Sequence, residues 1–186
     1  MTIQHNVITD PDIHEPKGVA AASPGQVYVA NGAGSGTWKD KDKGLGAWTG
    51  FDAATPAYQH TTTTSDTVLN NTITTGANDG FTIVTTPNLR ITYSGTESIT
   101  AFVQLSLATK QASGSNKDVQ WALFKNGTEI TGSRVIRSLS TGTWGSITLS
   151  TVVSLVTSDY LEIYSKADGA CTVDYASIQL IIQGHS

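Results

Sequence analysis

Between Ile99 and Gln183 the chain alternates apolar and small polar residues with a period of two, in one run after another. In Ile99–Ala108 the odd positions are Ile99, Ala101, Val103, Leu105 and Leu107, and the even ones include Thr100, Gln104 and Ser106. Ser146–Val156 sets Ile147, Leu149, Val153 and Leu155 against Ser146, Thr148, Ser150 and Ser154. Val119, Trp121 and Leu123 share one face of a third run, and Ala176, Ile178, Leu180 and Ile182 one face of a fourth. Only an extended strand places residues i, i+2 and i+4 on a common side, so helical packing is excluded for all four. The third run ends at Asn126-Gly127, a pair suited to the two positive φ angles of a type I′ hairpin turn. Short strands separated by Gly, Asn and Asp turns predict an all-β protein, an antiparallel sandwich or jelly roll.

Composition supports that fold. The 186 residues include 28 Thr, 18 Ser and 18 Gly, types that disfavour helix interiors. A net charge of −4 and abundant Val, Ile and Thr argue against disorder. Some strands carry apolar residues on their second face as well: Phe102, Phe124, Val152, Tyr160 and Tyr164. The outer face of a monomeric sandwich meets water, so these five residues are expected to form an interface between subunits.

Charge divides the chain. Residues 81–184 hold seven basic and seven acidic side chains, whereas residues 1–80 hold four Lys and eight acids, so the whole net charge lies in the first part. Gln26–Ala30 reads as a short strand, Gly32-Ala-Gly-Ser-Gly36 as a hairpin loop, and Lys39–Gly44 as an exposed turn or linker. The expected organisation is an N-terminal region over residues 1–50, extended or β in character, and a sandwich over residues 51–186.

Candidate chemistry is sparse. Gly32-Ala-Gly34-Ser-Gly36 lacks the third glycine and the following helix of a dinucleotide site. Asp40-Lys-Asp42 lacks the later ligands of a calcium loop. His5, Asp10, Asp12, His14 and Glu15 cluster in sequence, but Pro11 and Pro16 keep them extended, so no metal or cofactor is expected. All four His lie outside residues 81–184, and no pairing of nucleophile, base and context is present, so no catalytic residue is assigned and no enzyme is expected. The lone Cys171 excludes an intrachain disulfide. A pI near 5.4 disfavours nucleic acid, and no apolar run reaches the length that spans a bilayer. Trp144, between Gly142 and Gly145, is the aromatic ring best placed for exposure in a loop.

Two stretches resemble known families. Ile8-Thr-Asp-Pro-Asp-Ile-His-Glu-Pro-Lys-Gly18, continued by Val19–Ser23 and Gly25–Trp38, resembles the N-terminal region of head-fibre and capsid decoration proteins of tailed bacteriophages. From about Phe81 the chain is similar to the jelly roll of tumour-necrosis-factor-like and complement-head-like trimers. That likeness rests on Leu155-Val-Thr-Ser-Asp-Tyr-Leu-Glu-Ile-Tyr164 and Ala176-Ser-Ile-Gln-Leu-Ile-Ile182, with Ser158 standing where a glycine often precedes the Asp. Together the resemblances imply a homotrimeric virion protein on the outer capsid surface, assembled in the bacterial host cytoplasm. Its N-terminal region would dock on the major capsid protein through Asp10, Asp12, His14, Glu15, Pro16, Lys17, Tyr28 and Trp38. The competing expectation is a tail-fibre tip that adsorbs to host surface glycan through the loops around Trp144 and Asp168-Gly169.

Overall fold

The computed structural model describes residues 22–24, 26–30, 33, 36–40, 43–48, 55–70, 73–84 and 88–185. The chain divides into two compact units, the first ending at Lys41 and the second running from Asp42 to His185. In the first unit β1 (Gln26–Ala30) pairs antiparallel with β2 (Gly36–Asp40), so the Gly-rich stretch closes a hairpin. Gly36 is required there, because a Cβ would lie 2.3 Å from the Val29 carbonyl oxygen.

The second unit is a sandwich of antiparallel strands. Its first half supplies β3 (Lys43–Trp48), β4 (Tyr58–Thr62), β5 (Thr67–Val68), β6 (Thr74–Asn78), β7 (Phe81–Val84) and β8 (Arg90–Tyr93). Then come β9 (Ile99–Gln111), β10 (Lys117–Lys125), β11 (Thr128–Glu129), β12 (Val135–Leu139), β13 (Gly145–Leu155), β14 (Tyr160–Ala167) and β15 (Cys171–His185). One sheet runs β11-β10-β14-β8-β7, with β12 also on β10 and β5 on β14. The other runs β13-β9-β15-β3-β6, with β4 on β15.

The alternation predicted over Ile99–Ala108 is observed and continues to Gln111, every odd position of β9 being buried. Inward residues of both sheets form one core, and Trp121 of β10 donates from Nε1 to the Tyr175 hydroxyl of β15 at 2.9 Å, tying sheet to sheet. The Asn126-Gly127 turn takes φ values of 51° and 77°, as a type I′ turn requires. Ser158, at the position where the jelly-roll likeness favours glycine, has φ 74°.

Two features depart from the sequence reading. Lys43 and Gly44, read as linker, begin β3, which pairs with β15 from Gly184↔Lys43 to Gln179↔Trp48. A strand added in this way is held by main-chain hydrogen bonds, so its sequence needs no apolar alternation. The sandwich therefore takes in Asp42–His185, and His60, outside the 81–184 stretch, stands on β4, 9% exposed. In β15 the register shifts between Tyr175 and Ser177. Val173 and Tyr175 point inward before this bulge and Ile178, Leu180 and Ile182 after it, so inward positions change from odd to even.

Candidate functional site

The five residues expected at a single interface lie on two different sheets. Phe124 and Tyr164 project outward from β10 and β14 and stack with ring centroids 4.0 Å apart. Between Tyr160 and Tyr164, Glu162 is only 3% exposed. A buried carboxylate persists only when its lone pairs are satisfied. Here Arg90 donates to Oε1 from Nη2 at 2.9 Å and from Nε at 3.1 Å, and the Tyr164 hydroxyl donates to Oε2 at 3.2 Å. The same guanidinium lies 3.7 Å from the centre of the Tyr160 ring. Burial, and then the neighbouring Glu162 charge, push the Tyr164 hydroxyl above its ordinary pKa. A separate ion-pair cluster joins Arg134 to Glu129 at 2.6 Å and to Asp66 at 3.0 Å. On this face Phe124, Tyr160 and Tyr164 are covered by side chains of their own subunit.

The opposite sheet keeps its apolar residues uncovered. Val152 stands beside Phe102, and Phe102 beside Gln183; the next row is Ser150, Gln104 and Ile181, and the one after it Thr148, Ser106 and Gln179. Val152 is 61% exposed, Phe102 41% and Ile181 38%. From Ser146 to Ser154 on β13, Thr100 to Ala108 on β9 and Gln179 to Gln183 on β15, no outward side chain is charged. Ile181 is the member the sequence reading missed. Its signal was the apolar odd position inside Leu180-Ile-Ile182, hidden because its two neighbours point into the core.

Charge returns at the far end of the same face. Asp174, 5% exposed, accepts from Gln59 Nε2 at 2.6 Å and lies 3.7 Å from Lys110 Nζ. That ammonium sits 4.7 Å from the centre of the half-buried Trp144 ring. One face of the ring proposed for sugar stacking thus carries a cation of the same chain. Asp168, named with Trp144 in the glycan reading, pairs instead with Lys117 of the other sheet at 3.9 Å.

Beneath these faces one end of the core is polar. His60 Nδ1 is 2.9 Å from the Tyr58 hydroxyl and Nε2 is 3.1 Å from Thr67 Oγ1. Burial lowers the His60 pKa, opposed in part by Asn70. Burial also pushes the Tyr175 hydroxyl and the Cys171 thiol up, so both stay protonated near neutrality. Among the described residues no three His, Cys, Asp or Glu side chains converge as a metal-ligand set.

Of the residues named for capsid docking, Asp10, Asp12, His14, Glu15, Pro16 and Lys17 lie outside the described residues. Tyr28 and Trp38 face each other across the β1–β2 hairpin, edge to face with centroids 5.3 Å apart. Val27 and Val29, on the other side of the hairpin, are 44% and 41% exposed.

No family model and no curated protein matches the chain. Among solved structures, Eiger TNF from S. frugiperda is 8% identical at a TM-score of 0.51, the alignment covering 77% of this chain and 94% of that one. PRD1 vertex protein P5 is 15% identical at 0.44, over 76% of this chain and 95% of its own. Murine APRIL is 11% identical at 0.42, over 77% and 100%. At such identities the likeness to Eiger TNF speaks for the fold alone, and with the all-β antiparallel architecture it makes the Asp42–His185 unit a jelly roll.

Proposed function

We propose that the chain is a structural protein of a tailed-phage virion, a homotrimer that decorates the outer capsid surface. The observation that carries the self-association is the uncharged outer face holding Phe102, Val152 and Ile181. A monomer in water would gain from lysines or carboxylates on such a face, whereas a neighbouring copy penalises every charge it must desolvate. On the other sheet, an ion pair and stacked rings cover Phe124, Tyr160 and Tyr164, and the exposed Ile136 and Val84 stand apart, on β12 and β7 at opposite ends of that sheet. Docking on the major capsid protein is assigned to the N-terminal region, supported by the likeness of residues 8–38 to head-fibre and decoration proteins. Three such arms carried by one trimer bind together, so modest contacts per arm give high avidity through effective concentration. The work is binding, with no catalytic step.

The test has two parts. Light scattering on the full chain is expected to give the mass of three copies, and a monomeric mass overturns the trimer. Cosedimentation with phage heads is expected for the full chain and lost on deleting residues 1–40, while the remaining unit keeps its oligomeric mass. Decoration by the truncated chain overturns the docking assignment.

A further inference from the structure

Among the described residues β13 ends its sheet, pairing with β9 on one side only. Its sequence, Gly145-Ser-Ile-Thr-Leu-Ser-Thr-Val-Val-Ser-Leu155, contains no charge and no proline. A long edge strand of that composition offers unpaired N–H and C=O groups to any passing strand, and proteins commonly blunt it with a Lys, a Pro or a bulge on the strand itself. Here the blunting groups come from the other sheet. Arg137 of β12 donates from Nη1 to the Ser146 carbonyl at 2.7 Å, and Lys125 of β10 donates from Nζ to the Ser154 carbonyl at 2.6 Å.

Ser146 and Ser154 share the parity of Thr148, Ser150 and Val152, so all five turn their main-chain groups away from β9. The two cations cap the ends of this row. Among the described residues no protein group takes the outward main chain of Thr148, Ser150 or Val152, leaving an open window of about 13 Å. Gly145 makes room for the first cap, since a Cβ there would lie 2.2 Å from Arg137 Nη2.

We infer that Arg137 and Lys125 are edge guards that deny β13 to the β13 of a second copy. In an antiparallel approach Ser146 of one copy faces Ser154 of the other, which brings Arg137 against the partner copy's Lys125 at both ends. A parallel approach sets each cation against its own equivalent. Either ladder must displace both caps and crowd like charges at the ends of a short uncharged window. The guard stands on these two hydrogen bonds. Only its consequence, that copies meet through the outer face around Phe102 and Val152, rests on the self-association proposed above.

The experiment removes the cations and keeps their apolar stems. In the full chain, Arg137→Met with Lys125→Met is expected to raise the sedimentable, thioflavin-positive fraction at least about tenfold over wild type while far-UV circular dichroism is retained. Adding Ser150→Pro deletes one outward N–H at a position an edge strand tolerates, and is expected to return the fraction to the wild-type level. A folded double variant that stays as soluble as wild type overturns the guard, and so does sedimentation that Ser150→Pro leaves unchanged. Should the double variant fail to fold, Arg137→Met alone decides, because it leaves the Lys125–Asp159 pair at 2.8 Å in place. A partial rise that Ser150→Pro suppresses supports the guard, and no rise overturns it. Phe102→Ser with Val152→Ser, in chains whose guards are intact, reads the outer face separately, so the two ideas fail independently.

Discussion

The two sheets of this sandwich both carry apolar residues on their outward faces but treat them in opposite ways. On the sheet of β10 and β14, Phe124 and Tyr164 lie on each other, and Arg90, paired with Glu162, lies across the Tyr160 ring. On the sheet of β9 and β13, Phe102 and Val152 stand side by side among Ser, Thr and Gln, 41% and 61% exposed, with no ring or guanidinium of the described residues lying across them. An apolar residue on an outer strand face therefore marks an interface only where its own chain supplies no ring or guanidinium to lie across it. Period-two alternation says which face a side chain takes and nothing about what reaches over it from two strands away.

The comparison is broken or sharpened most strongly by exchanging the paired residues. Phe102→Ser with Val152→Ser is expected to reduce the assembled mass to that of one chain while the circular dichroism spectrum holds. Phe124→Ala with Tyr164→Ala is expected to keep the mass and to cost the fold about 3 kcal/mol in urea titration. Reversal of those two outcomes would move the interface to the sheet of β10 and β14. Arg90→Ala should cost roughly 2–3 kcal/mol, because it leaves the 3%-exposed Glu162 with a single tyrosine donor. Arg134→Ala, whose carboxylate partners Asp66 and Glu129 are 28% and 36% exposed and keep their water, should cost under about 1 kcal/mol in the same titration.

The smallest effect lies beneath both faces. Because burial depresses the His60 pKa in the folded chain, the unfolded chain binds a proton first as pH falls through about 6.5, the ordinary histidine value. Stability contributed by neutral His60 is therefore complete above that pH and lost progressively below it. Differential scanning calorimetry between about pH 7.5 and 5.5 is expected to show the melting temperature falling by a few degrees, and His60→Gln to flatten that slope. A slope unchanged by the substitution would show that His60 is not its source.

Much of the fold was legible in the sequence because it followed local rules. The inward positions of β9 and β13 and the turn at Asn126-Gly127 depend on residue type and spacing within a dozen residues. What escaped depended on partners distant along the chain. β3 follows a mixed-charge run and is a strand because the far half of β15 offers it hydrogen bonds. His60 heads a Thr-rich stretch whose sequence does not show that Thr67 and Tyr58 are brought around its ring. Of the five residues expected at an interface, Phe102 and Val152 are exposed. The partners that lie against Phe124, Tyr160 and Tyr164 within the chain were not legible, because Arg90 and Glu162 are 72 residues apart in sequence and adjacent in space.

The register shift in β15 makes that strand two segments of opposite phase joined at Ala176. Its first segment directs Tyr175 inward to receive the Trp121 N–H, and its second directs Ile178, Leu180 and Ile182 into the same core from even positions. The extra residue works as a phase corrector that lets one unbroken strand serve two frames set by different neighbours. Deleting Ala176 would put the frames out of step, turning either the tyrosine or the three aliphatic residues to the outside. Length at this one point is therefore under tighter constraint than residue identity, and a conservative substitution there should be far milder than a clean deletion.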